Sequence, residues 1–182
     1  MTEISGVPAY NPEMDCLSVP DQYFSLARSY LEGSRVLCEA MVNDDYTPQY
    51  SNSRVILHLC RHAIELFLKG AISKARNRQP PKTHNLVNLV GEYELALPGE
   101  NFRFEVPFGV EALGNLALFP ELEALIDEHH KTLDQRYRYP TDSAGKPFSG
   151  VEGFIARSYL SDLARLSKSF LKVELQLKGV GS

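Results

Sequence analysis

Residues 51–76, SNSRVILHLCRHAIELFLKGAISKAR, constrain the fold more than any other stretch of the chain. At about 100° per residue, Ile56, Leu59, Cys60, Ala63, Ile64, Phe67, Ala71 and Ile72 form a wide apolar arc. His58, Arg61, His62, Glu65, Lys69 and Arg76 gather on the other side. An apolar arc that broad has to be packed from several directions, so the stretch predicts the central post of a helical domain. Its polar stripe holds two imidazoles, a carboxylate and three cations, which makes it the first place to look for chemistry.

The flanking sequence reads as further helices. Residues 1–20 hold three prolines and little periodicity, predicting an arm that lies on a domain spanning 21–178, pinned by Cys16, Leu17 and Val19. Asp21 is placed to cap a helix reaching about residue 42, with Phe24, Leu26, Ala27, Tyr30, Leu31, Val36, Leu37, Ala40 and Met41 on its inner face. Gly33 in its middle costs about 1 kcal/mol relative to alanine. The central helix takes Ser51 or Asn52 as its cap and ends before Pro80 and Pro81, which forbid its continuation. Thr83 caps a third helix, 84 to about 97.

Beyond it, Phe102, Phe104 and Val106 alternate with polar residues in 100–114. That pattern reads as a short strand or, for want of a partner strand, as an extended loop packed on the domain. A fourth helix is predicted over 116–133, its start pushed toward Phe119 by Pro120, and a last one over 151–177 with Ser149 as cap. Short connections favour an all-α, antiparallel up-and-down bundle of about five helices.

Composition narrows the class. A chain of 182 residues with 43% hydrophobic and 23% charged residues fits one globular domain, and no apolar run approaches the ~20 residues of a membrane span. The first residues, MTEISGVPAYNPEMD, lack a secretory pattern. Cys16, Cys38 and Cys60 suggest neither a disulfide framework nor a zinc site, so a reducing cytoplasm is expected. The net charge of −4 weighs against strong sequence-blind binding of nucleic acid, yet leaves local basic sites at 76–82 and at Arg136 and Arg138.

Four groups of residues carry candidate chemistry. His62, Glu65 and Lys69 lie one turn apart, able to meet a phosphate or to form an ion-pair ladder within the helix. His58 and His62 have the i, i+4 spacing of a zinc protease, but Leu59 stands where its catalytic glutamate belongs, and Asp127 with His130 lacks the glutamates of a di-metal bundle. No metal is expected. Arg78, Lys82 and His84 form a basic group at a helix start, suited to an anion, with His84 able to move protons near neutral pH; ordinary capping by Thr83 and Asn85 is the other reading. Arg136, Tyr137, Arg138 and Tyr139 interleave guanidinium groups and rings, as phosphate contact with base stacking requires, or as a neutralised helix end over packed tyrosines would. No glycine-rich phosphate loop or nucleophile elbow is present, so no cofactor is expected.

Two segments carry a family resemblance. Residues 61–70, RHAIELFLKG, and 81–86, PKTHNL, with the YRYP of 137–140 ahead of a long final helix, resemble the HEPN (higher eukaryotes and prokaryotes nucleotide-binding) superfamily. The matching stripe is His62, Glu65 and Lys69. The resemblance implies a bundle of four to five helices, usually a homodimer, that binds a nucleotide, RNA or a partner protein, in toxin–antitoxin or defence settings or beside a nucleotidyltransferase. Some members are metal-independent endoribonucleases that use an Arg-x4–6-His motif and leave 2′,3′-cyclic phosphate ends. In this chain Arg136 and Arg138 stand where the motif arginine belongs, and no histidine follows either. A ribonuclease of this kind would have to rely on Arg138 or Arg78 with His84. The passive binding module is the favoured expectation.

Overall fold

The computed structural model describes residues 12–104, 137–147 and 154–179. These residues are all-α: α1 (Pro12–Asp15), α2 (Val19–Val42), α3 (Tyr50–Arg76), α4 (Leu86–Ala96) and α5 (Ala156–Leu177), with a 3-10 turn at Glu100–Phe102. A single Thr141–Pro147 bridge is the only β pairing among them. No described helix is long and apolar enough to cross a membrane.

The central-post expectation for α3 holds. Every residue from Ala63 to Ser73 is buried. The expected polar side is not a solvated face, however: Arg61, Glu65 and Lys69 are each less than a tenth exposed. Three polar side chains at helical spacing usually mark the wet face, but here neighbouring elements cover them.

α2 lies antiparallel to α3. Asp21 faces Lys74 (3.7 Å), Phe24 packs on Gly70, and the buried Ser34 hydroxyl donates to the Ile56 carbonyl (2.9 Å). α5 runs antiparallel to α2, through Arg28 with Glu174 and the Cys38 thiol on the Ala156 carbonyl (3.2 Å). It reaches α3 where the rings of Phe67 and Phe170 stack, 3.8 Å between centres. Of the expected inner face of α2, Phe24, Ala27, Leu31 and Met41 are buried, whereas Leu26 and Val36 are exposed.

Several ends differ from expectation. Ser18, not Asp21, caps α2: its side chain accepts from the Asp21 amide and its hydroxyl donates to the Asp21 carboxylate. The arm is held by buried Met14 and by Gln22, whose amide donates to the carbonyls of Met14 (3.1 Å) and Leu17 (3.3 Å). Cys16 and Val19 are exposed and pin nothing. α3 starts from Gln49 without a side-chain cap, since Asn52 is spent on the Thr47 carbonyl. It ends at Asn77 in the left-handed region (φ 47°), ahead of the two prolines.

Asn85, not Thr83, caps α4, and the Thr83 hydroxyl instead accepts the Asn85 amide. The helix therefore starts two residues late and leaves His84 outside it. After the 3-10 turn, Phe104 sets its ring edge-on to Phe67, Tyr93 and Phe170, the packed-loop alternative. α5 begins at Ala156, five residues later than predicted, from Ile155 without a side-chain cap. The rest of 100–114, the fourth predicted helix, Asp127, His130, Arg136 and Ser149 lie outside the described residues.

The connection between α3 and α4 shapes the site. His84 meets Glu65, and eight residues later Glu92 meets Arg76. The paired residues advance together along both elements, which is not the order of an antiparallel neighbour. The extended Pro80-Pro81 segment carries the chain back along α3 before α4 begins, so this pair departs from the up-and-down expectation.

Close helix approach at Gly70 generates a prediction. A Cβ there would sit 3.0 Å from the Tyr23 Cβ and 3.1 Å from the Phe24 ring. Gly70→Ala gains helix propensity but forces α2 and α3 apart, and a net loss of about 1–2 kcal/mol is expected in urea unfolding.

Candidate functional site

The site begins with a buried carboxylate. α3 places Glu65 one turn before Lys69, and the loop that returns from the prolines delivers His84 to the same point. Lys69 Nζ donates to Glu65 Oε1 at 2.8 Å, and His84 Nδ1 lies 2.8 Å from that oxygen. His62 Nδ1 stands 3.9 Å from Oε2. Burial alone would raise the Glu65 pKa; the hydrogen bonds and charges of Lys69 and His84 outweigh it and hold the carboxyl below its ordinary value. An ionised Glu65 fixes the imidazole orientation, with Nδ1–H donating inward and Nε2 free to face outward on a side chain that is 69% exposed.

Beside it, His58 and His62 lie with nearly parallel rings, centres 6.1 Å apart, and His62 meets the edge of Tyr30 from α2 at 4.5 Å. Both imidazoles have lowered pKa values, mainly through burial. For His58 the charges of His62, Arg138 and Arg61 add to the effect; for His62 those of Lys69, Arg138 and His84 do, against the opposing pull of Glu65. Arg138 therefore acts on both histidines across the space between α3 and the 137–147 loop.

The other sequence candidates fall elsewhere. Arg78 is engaged with Glu92 (3.6 Å), which also receives Arg76 (3.0 Å), so it does not form a basic cluster with His84 at a helix start. Lys82 is exposed. Tyr137 packs partly against the core, and Tyr139 is 51% exposed beneath the Arg138 guanidinium, 5.4 Å from the ring centre. Sequence reasoning missed Tyr50 and Arg54: Arg54 donates to the Tyr50 hydroxyl (2.7 Å) and to the Tyr139 carbonyl (2.8 Å), fastening the loop to α3. The four-residue spacing of Tyr50, Arg54, His58 and His62 was the signal for them.

Among the described residues no group of three or more His, Cys, Asp or Glu side chains is arranged to hold a metal ion. All three cysteines are free thiols; burial pushes Cys38 up to about 11 and Cys60 up to about 12, too high to act as nucleophiles. No family model, no curated protein and no solved structure matches the chain.

The buried carboxylate and its neighbours tie the stability of the fold to one ion pair and to pH. Lys69→Met leaves Glu65 buried without its cation and is expected to cost about 3 kcal/mol, while the Lys69→Met, Glu65→Leu pair costs less than the single change; chemical denaturation of the three proteins checks this. His58 and His62 bind protons less readily when folded, so their contribution is complete above about pH 6.5 and is lost as pH falls through their lowered folded values. Glu65, also lowered, contributes above about pH 4.3 and is lost further down. Urea midpoints measured against pH are expected to fall in two stages, and a His58→Gln, His62→Gln double variant to flatten the first.

Proposed function

We propose that the chain is a HEPN-like helical module that binds RNA or a nucleotide by its phosphate, on the face formed by His58, His62, His84 and Arg138. The observation that carries the reading is the Lys69–Glu65–His84 chain of 2.8 Å contacts, which holds an exposed imidazole at fixed orientation next to two more. Among the described residues, Lys69, His62 and His84 meet the Glu65 carboxylate, and burial, with the charge of Arg138 nearby, lowers the pKa values of His58 and His62. A phosphate supplies the negative charge this group lacks and favours the protonated imidazoles. Like the family it resembles, the module is proposed to act as a homodimer, with an antitoxin or nucleotidyltransferase as its partner protein.

Fluorescence anisotropy with labelled RNA tests the reading. Binding that weakens with salt, and at least tenfold weaker binding for His84→Ala and Arg138→Ala, is the expected result. Absence of binding by the unaltered protein refutes it.

One observation favours a second reading. With Nδ1 on the Glu65 carboxylate, His84 Nε2 has the orientation of a general base. It would take the proton of a ribose 2′-hydroxyl; the 2′ oxygen then attacks phosphorus, the 5′ oxygen leaves and is protonated by solvent, and Arg138 steadies the phosphorane. The products are a 2′,3′-cyclic phosphate and a 5′-hydroxyl. RNA cleavage in EDTA, lost in His84→Ala and reduced in Glu65→Gln, is the result this reading requires. An intact substrate with the unaltered protein eliminates the enzyme and leaves the binding module.

A further inference from the structure

We propose that the same face accepts a single-stranded polynucleotide segment of about five nucleotides, its bases stacking on an aromatic subsite at the N-terminal end of α3. The inference rests on the phosphate-binding reading and extends the site away from His84. Tyr50, Arg54, His58 and His62 recur every fourth residue and occupy an arc of about 120° on α3. At the far end of that arc, Tyr50 is 61% exposed and Tyr139 is 51% exposed, in contrast to the buried Tyr93 and Tyr159 of the core.

Each exposed ring lies under a guanidinium group, Arg54 at 5.2 Å from the Tyr50 centre and Arg138 at 5.4 Å from that of Tyr139. Arg54 also joins the two, donating to the Tyr50 hydroxyl and the Tyr139 carbonyl. The role of Arg54 as a fastener accounts for its own position; it does not account for two large rings left in water on either side of it. Rings and guanidinium planes together form the surface on which unpaired bases stack. The loop's own carboxylate, Asp142, is turned onto the amides of Ala144 and Lys146, 2.9 Å each.

From Tyr50 to His62 the helix rises about 18 Å. At a stacked rise of about 3.4 Å, that distance holds about five nucleotides. A mononucleotide placed at His84 would leave the tyrosines unused.

The experiment measures binding of UMP and of labelled oligouridylates of increasing length to the full chain. Affinity is expected to rise up to about five nucleotides and then level off. Tyr50→Ala and Tyr139→Ala are each expected to weaken the pentamer about tenfold while leaving UMP unchanged, and Tyr50→Phe, which keeps the ring, to retain most of the affinity. Unaltered thermal melts of the variants confirm that folding is intact. Should UMP bind as tightly as the pentamer, or should both alanine variants bind the pentamer normally, the stacking subsite is refuted while the phosphate site stands. Failure of UMP and every oligomer to bind the unaltered protein removes the phosphate-binding reading itself.

Discussion

A carboxylate taken out of water sets the terms for the whole working end of this protein. Glu65 sits in the most enclosed part of α3, and an ionised group there is tolerable only when its oxygens are occupied. Lys69 fills one direction from the same helix. The other comes from His84, eight residues past the end of α3 at Arg76, so the intervening loop must run back along α3 to reach it. The electrostatic need of one buried side chain thus fixes the path of the 77–85 segment, the late start of α4, and the exposed imidazole that results.

The apolar packing makes that enclosure available. α2 comes close enough to α3 at Gly70 and Ser34 that a methyl group would be crowded at the first and a hydroxyl bonds a backbone carbonyl at the second. α5 closes the other side through Phe67 and Phe170, with Phe104 standing against both rings. Such aromatic contacts contribute about 0.5–1.5 kcal/mol each beyond the area they bury. Because they fill the interior around Phe67, they also exclude water from the helix two residues away, where Glu65 and Lys69 pair.

The helices were largely legible because periodic apolar residues report burial directly, and α2, α3 and α5 carry strong periods. Their caps were less so. Asp21, Thr83 and Ser51 are all good capping residues by type, and in each case a neighbour took the role or none did, since a cap depends on where the chain enters the helix. The polar stripe of α3 was visible as a set of residues, but its burial was not. No local pattern shows that Arg61, Glu65 and Lys69 are covered by elements distant in sequence. Likewise the meeting of Glu65 with His84 depends on the return of a proline-containing loop, and the fastening of Tyr139 by Arg54 joins residues 85 apart.

The burial of the stripe changes what its residues can do. Were His62, Glu65 and Lys69 a solvated ladder, all three would be equal candidates for touching a ligand. With Glu65 and Lys69 enclosed, neither can reach a phosphate directly, and their effect is exerted through the imidazoles they orient and polarise. That division matters in a chain whose net charge is −4, because long-range attraction of an anion is weak and screened beyond roughly 10 Å at 0.1 M salt. On the proposed reading, recognition would depend on short-range, fixed donors, and His84, once protonated, would be one: its contact with the buried carboxylate sets its geometry before any ligand arrives, so little ordering cost would fall on binding.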